Sequence, residues 1–223
     1  MLRRMVKSLL FGTKERVFRL RFGLNRGLRF TVDPRHKSSR LLGLDEVEIA
    51  SSFRHLASRA RVAYDVGAAD GWYTLYCASR PNIQQVHAFE PEARALQNLH
   101  DNMRTNGVDD RVVIHQVLVG RQNAPGWCTL DAVEPSAPGP ALVKVDVEGG
   151  ELDVLLGASR LLSAPDTAWI IETHSAEMET ECSRVLCDQG YQVRVIPNAW
   201  WRWAQPEARV LPHNRWLTAA RCR

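Results

Sequence analysis

Cysteine is sparse and unpatterned in this chain. The 223 residues hold five, Cys77, Cys128, Cys182, Cys187 and Cys222, and none forms a C-x-x-C pair. That count excludes a disulfide framework or a thiolate zinc site and fits a reducing, cytoplasmic setting. No apolar run approaches the roughly 20 residues that a bilayer-spanning helix needs. The opening Met1–Phe11 is basic, but its apolar stretch is too short and interrupted for a signal peptide. The chain also lacks an internal repeat and lacks the three-glycine loop of dinucleotide-binding proteins.

What is present is a globular composition, 45% hydrophobic, in a chain long enough for one well-buried core. Its charge is lopsided. Residues 1–40 hold 12 Lys/Arg against Glu15 and Asp33, whereas the whole chain is only +4, so the remainder is acidic at −6. Such a basic arm has two readings: a solvated face, or attraction to an anionic acceptor or an anionic lipid surface.

Hydrophobic periodicity divides the arm from the rest of the chain. Residues 1–12 suit a short basic amphipathic helix. Phe18 to Val32 alternates with a period of two around Asn25-Arg26-Gly27, a hairpin signature. Asp45 and Glu46 open a helix that places Val47, Ile49, Ala50, Phe53, Leu56 and Ala57 on one face. From Arg61 onward strands and helices alternate. Strands are expected at Val62–Val66, Gln85–Phe89, Val112–Val119, Ala141–Val145, Ala168–Thr173, Tyr191–Ile196 and Arg209–Ala219. Helices are expected at Asp70–Ser79, Glu92–Thr105, Glu151–Leu162 and Glu177–Gln189. This pattern implies an α/β fold, a mostly parallel sheet with helices on both faces and one late antiparallel strand.

In such sheets ligands gather beyond the carboxyl ends of the strands. Asp65, Glu90, Asp146, Glu172 and His174 each close an apolar run and are expected on that one edge. The loop Asp65-Val66-Gly67-Ala68-Ala69-Asp70-Gly71 has Ala69 and Trp72 where a pyrophosphate loop would have its second and third glycines. It therefore suits a nucleoside without a pyrophosphate, S-adenosylmethionine (SAM) being the obvious candidate. Glu90, at the end of the next strand, is placed to accept hydrogen bonds from ribose hydroxyls.

Six segments carry a resemblance. They are DVGAADGWYT (65–74), HAFEPE (87–92), LHDNMRTNG (99–107), TLD (129–131), VKVDVEGGELDVLLGA (143–158) and IIETH (170–174), all within the stretch 65–174, about half the chain. In this order they resemble the FkbM family of SAM-dependent methyltransferases. The resemblance implies a class I, Rossmann-like fold with a seven-stranded sheet. It also implies O-methylation of a sugar, glycan or secondary metabolite. It divides the chain into a basic cap, residues 1–60, and a methyltransferase domain, residues 61–223. Asp65, Gly67, Ala68 and Gly71 would line the cofactor loop, Glu90 the ribose, and Asp146 and Glu148 the sulfonium and the acceptor. Gln116, with His115 and Val117, is the topological candidate for the adenine. The family usually has Asn where this chain has Ala69.

An alcohol is a poor nucleophile while protonated, so a base should stand near it. Asp146 and His174 are the candidates, with Asp146 ahead for its proximity to the cofactor; Glu148 is the third catalytic candidate. Acids before and within a first helical turn also serve simply to satisfy the helix N-terminus, and that is the reading for Glu151. No metal site is assigned, although Asp146, Glu148, Glu172 and His174 would suit a hard divalent ion such as magnesium. Lys144 reads as a strand-end charge partner. Asn198–Trp203 could stack on an acceptor, pack the cap or make a homodimer contact. A nucleic-acid acceptor is disfavoured, because Val147-Glu148-Gly149 occupies the place of an N/D-P-P-aromatic loop. A SAM-binding scaffold, an RNA methyltransferase and a NAD-linked oxidoreductase are the competing readings.

Overall fold

A computed structural model describes residues 12–134, 139–198 and 213–221. The N-terminal amphipathic stretch up to residue 11, the tryptophan-rich link from residue 199 to 212 and residues 135–138 lie outside the described residues.

The N-terminal region forms a hairpin, β1 (Arg16–Arg19) and β2 (Arg29–Val32), followed by α1 (Pro34–Leu42) and α2 (Val47–Ala57). The strands are shorter than the alternation predicts. Leu20 and Leu28 close the loop between them, and buried Asn25 donates to the Trp72 carbonyl at 2.8 Å instead of continuing a ladder. Helix α1 is absent from the sequence expectation because its surface is almost wholly polar. Its signal lies in its ends: Asp33 caps the Arg35 N–H at 2.9 Å, Pro34 opens it, and Gly43 closes it at φ 69°.

The rest is the expected alternation. β3 (Val62–Val66), α3 (Trp72–Ala78), β4 (Gln85–Phe89), α4 (Ala93–Asn106) and β5 (Val112–His115) come first. Two short strands come next, β6 (Leu118–Val119) and β7 (Trp127–Cys128), which pair with each other. β8 (Ala141–Val145), α5 (Glu151–Leu156), α6 (Ser159–Ser163), β9 (Thr167–Thr173), α7 (Ala176–Asp188), β10 (Gln192–Ile196) and β11 (Arg215–Ala220) complete it. The order is β10-β11-β9-β8-β3-β4-β5, with β11 slotted antiparallel between β9 and β10 and the β9-β8-β3-β4-β5 neighbours parallel. The third expected strand thus ends at His115, not Val119. The expected helix from Glu151 to Leu162 is two helices. Gly157 breaks it: its carbonyl accepts from the Asp131 N–H, and a Cβ there would lie 2.0 Å from the Gly120 carbonyl oxygen.

Strand alternation gives the sheet two apolar faces. Val62, Tyr64, Val66, Val143, Val145 and Ile171 pack against α5, α6 and α7. Ala63, Val86, Ala88, Leu142, Ile170 and Trp216 pack with Trp72, Tyr76 and Leu99 and with Phe30, Ile49 and Phe53 of the N-terminal region. The hairpin and α2 therefore share one core with the sheet. The same period of two puts Asp65, Lys144 and Glu172 on this second face, among apolar neighbours.

Candidate active site

The carboxyl edge of the sheet carries two polar groups, one on each side of β3. The first is built by the glycine loop. Gly67 and Ala68 both donate to the Phe89 carbonyl at 3.0 Å, so the loop leans over the end of β4. Gly67 adopts φ 76°, and a Cβ on it would stand 1.9 Å from the Asp146 carbonyl oxygen, so only glycine lets β3 and β8 converge here. Glu90 is 8% exposed; one of its oxygens accepts from the Ala69 N–H and the other from the Glu92 N–H, each at 2.8 Å. The carboxylate is fixed, and each oxygen keeps acceptor capacity for a further donor. Ala69 sits at φ 48°, a left-handed conformation in which Asn is favoured over other side chains that carry a Cβ.

The second group centres on Lys144, buried at 3% exposure. Its ammonium lies 3.2 Å from Asp65, 3.5 Å from Asp146 and 5.2 Å from the centre of the Tyr73 ring, and donates to the Gly67 carbonyl at 3.0 Å. Asp65 is held further by the Thr74 hydroxyl at 2.6 Å. One ammonium here faces four carboxyl groups, because Glu172 and, from the turn before α2, Glu46 are also near it. Burial disfavours charge, so protons are retained. Burial first, then the charges of Asp146 and Glu46, push the Glu172 carboxyl up to about 11. Burial, then Asp45 and Asp146, raise Glu46 to about 8, and Glu46 accepts a short hydrogen bond from the Tyr73 hydroxyl. Asp146 goes the other way. Burial opposes its ionisation, but Lys144, the Glu172 hydrogen bond and His174 outweigh it and hold it below the usual carboxylate range.

His174 completes this group. Its Nδ1 lies 2.5 Å from Glu151 Oε1 and its Nε2 3.7 Å from Asp146 Oδ1. Burial opposes its protonation, but the Glu151 hydrogen bond and the charges of Asp146 and Glu151 raise its pKa above the usual imidazole value. Fully buried Glu151 also accepts from the Gly149 N–H at 3.2 Å, so it orients the imidazole as well as serving its own helix. Ligand atoms of Asp146, Glu172 and His174 lie within 4.8 Å of one another, a spacing that could admit a small cation. Lys144 already supplies positive charge beside them.

The structure therefore brings Asp65, Asp146, Glu172 and His174 together on one side of the loop and leaves Glu90 on the other. Glu148 is exposed at the rim, near enough to His174 to act on its charge. Gln116 is exposed just past β5, its amide 3.5 Å from the Pro91 carbonyl. His115 stacks on Phe89, with ring centres 4.5 Å apart. Gly71 packs on α4, where a Cβ would meet Leu99 at 3.0 Å. Asp70, the second acid of the loop, is bound by Lys37 at 2.6 Å and Arg40 at 2.7 Å. Burial opposes its charge, yet those cations hold it down at about 2. Sequence reasoning does not single out Glu46 or Tyr73. Glu46 carries a weak signal, an acid at the mouth of a helix, but its φ of 44°, which turns the chain there, is visible only in the structure.

Known structures share this architecture. A methyltransferase FkbM from Methylobacillus flagellatus KT is 16% identical, with a TM-score of 0.57 over 82% of this chain and 65% of that one. An rRNA methylase from Streptococcus thermophilus is 14% identical, with a TM-score of 0.56 over 80% of this chain and 99% of that one. A Streptococcus mutans protein solved in complex with SAH is 13% identical, with a TM-score of 0.53 over 77% of this chain and 96% of that one. No curated protein matches the sequence. The fold is that of the class I methyltransferases. Within it, residues 128–193 match the family model for the methyltransferase FkbM domain, the family that the sequence motifs resemble. That segment contains Lys144, Asp146, Glu151, Glu172 and His174. Among the described residues, no helix is long and apolar enough to cross a membrane.

Proposed function

We propose that this protein is a SAM-dependent O-methyltransferase that methylates a hydroxyl of a sugar, glycan or secondary metabolite. The observation that carries the reading is the pairing, across Gly67, of a fixed acceptor carboxylate with an oriented imidazole. Glu90 has lone pairs to spare for two ribose hydroxyls, and the acidic edge suits a cation, so the residues fit the cofactor. Gly67, Ala68 and Gly71 would shape its loop, with Gln116 toward the adenine and Asp146 toward the sulfonium. When bound, the cofactor supplies a methyl group on a good leaving group.

The chain must then align the hydroxyl, keep water out and accept one proton. His174 is the base we assign. Glu151 anchors Nδ1, which leaves Nε2 as the proton acceptor, and the raised pKa strengthens it as a base near neutral pH. Asp146 stays ionised beside Nε2 and stabilises the imidazolium that forms. Glu172 holds its proton and donates to Asp146, fixing that carboxylate. From the N-terminal cap, residues 1–60, Glu46 reaches this side, accepting from the Tyr73 hydroxyl near Lys144.

Turnover of labelled SAM against sugars, nucleotide sugars and lipid-linked glycans tests the proposal, the expected result being methylated acceptor and S-adenosylhomocysteine in equal amounts. SAM binding without product on any acceptor would favour a scaffold. Tight NAD binding without SAM binding would favour an oxidoreductase. In the active enzyme, His174→Gln should lower kcat roughly 100-fold or more and remove the acidic limb of its pH profile.

A further inference from the structure

We infer that the N-terminal cap docks the protein onto an anionic lipid bilayer. The surface concerned is the loop Arg21–Gly23 and the end of α1, which touch: a Cβ on Gly43 would lie 2.7 Å from the Phe22 Cβ. Phe22 is 57% exposed, Leu42 45% and Leu44 40%, three large apolar side chains on adjoining turns. A groove lined by Phe18, Leu20 and Leu41 runs beside them, with Arg19 and Arg21 on its walls. Three basic residues of the cap are held by acids. Lys37 and Arg40 bind Asp70, and Arg35 binds Asp33 at 2.6 Å. Arg19, Arg21 and Arg26 are exposed and form no ion pair with an acid among the described residues.

Charge complementarity selects the occupant. The sequence ahead of the described residues holds Arg3, Arg4 and Lys7 and no acid, so it brings no carboxylate to neutralise these arginines. A nucleic acid would take the arginines but has no use for exposed leucines. A bilayer with anionic headgroups takes both: the guanidinium groups meet phosphate, and Phe22, Leu42 and Leu44 enter the acyl boundary. Docking is independent of the methyl-transfer reading, and its test uses no turnover.

The experiment is co-sedimentation of the full chain with vesicles of phosphatidylcholine alone or mixed with phosphatidylglycerol. Binding is expected to the mixed vesicles only, and it should be lost at about 1 M salt, where screening is strong. The double substitution Arg19→Glu and Arg21→Glu should weaken it on the order of 30-fold or more. Phe22→Ser, which leaves the charge unchanged, should weaken it roughly 10-fold. These side chains are exposed, so circular dichroism should match the parent; the salt response of the unmodified protein tests the idea even if a variant misfolds. Equal binding to both vesicle types, or no binding to either, overturns the inference. So does binding to an RNA oligonucleotide that matches vesicle binding in strength and ignores Phe22→Ser.

Discussion

The two sides of β3 at the carboxyl edge contrast sharply. On the β4 side, Glu90 is fixed by two backbone N–H groups, a stable arrangement with room for further donors. On the β8 side, four carboxyl groups crowd one lysine, and two of them keep protons that such groups ordinarily give up. In the proposed function the first side holds the cofactor and the second exchanges protons. The FkbM domain match, residues 128–193, falls on the second side. On the proposed function, the difference teaches that binding rests on satisfied hydrogen bonds, whereas chemistry is placed where charge is hardest to accommodate.

The harshest way to break the contrast is to part the two sides. Gly67→Ala puts a methyl group against the Asp146 carbonyl, at a backbone angle that L-residues avoid. Denaturant unfolding should show a loss on the order of 3 kcal/mol or more, with both functions impaired. Glu90→Ala should spare the fold and weaken SAM affinity on the order of 100-fold, by titration calorimetry, because two hydrogen bonds to a charged group disappear. Wild-type affinity in that variant would remove Glu90 from the cofactor. Asp146→Asn should do the converse, lowering kcat roughly 100-fold while SAM affinity stays within a few-fold. Equal losses in both would show that the sides are not separable.

A gentler test concerns the retained proton of Glu172. Folded, this carboxyl titrates at about 11; unfolded, it titrates in the ordinary carboxylate range. Between those limits the unfolded chain has released the proton that the folded chain keeps, so the contribution to stability is full at low pH and falls as pH rises. Glu172→Gln keeps a donor to Asp146 and removes that slope. Its melting temperature should gain on the parent from about pH 6 to about pH 9; a constant difference would mean Glu172 is ionised in the folded state. Smallest is Ala69→Asn, which should add under about 1 kcal/mol of stability by easing the left-handed turn.

The sheet was legible because buried parallel strands are near-continuous apolar runs, and acids closing those runs mark the edge they share. Glu90, Asp146 and His174 are found that way. The pairing of Glu151 with His174 is not, because a carboxylate in a first helical turn satisfies the simpler reading of a helix N-terminus. Helix α1 escapes for a related reason: its evidence sits in Asp33, Pro34 and Gly43 and not in any apolar period. The role of Asp70 is equally hidden, because the residues it answers to, Lys37 and Arg40, lie 33 and 30 residues earlier in the chain.

That latch limits how the protein can be recombined with its relatives. A chimera that exchanged the first sixty residues without an equivalent lysine and arginine would strand a buried negative charge, right where the glycine bend ends. Transplants of the region should succeed only when cation donor and loop acid travel as a matched set.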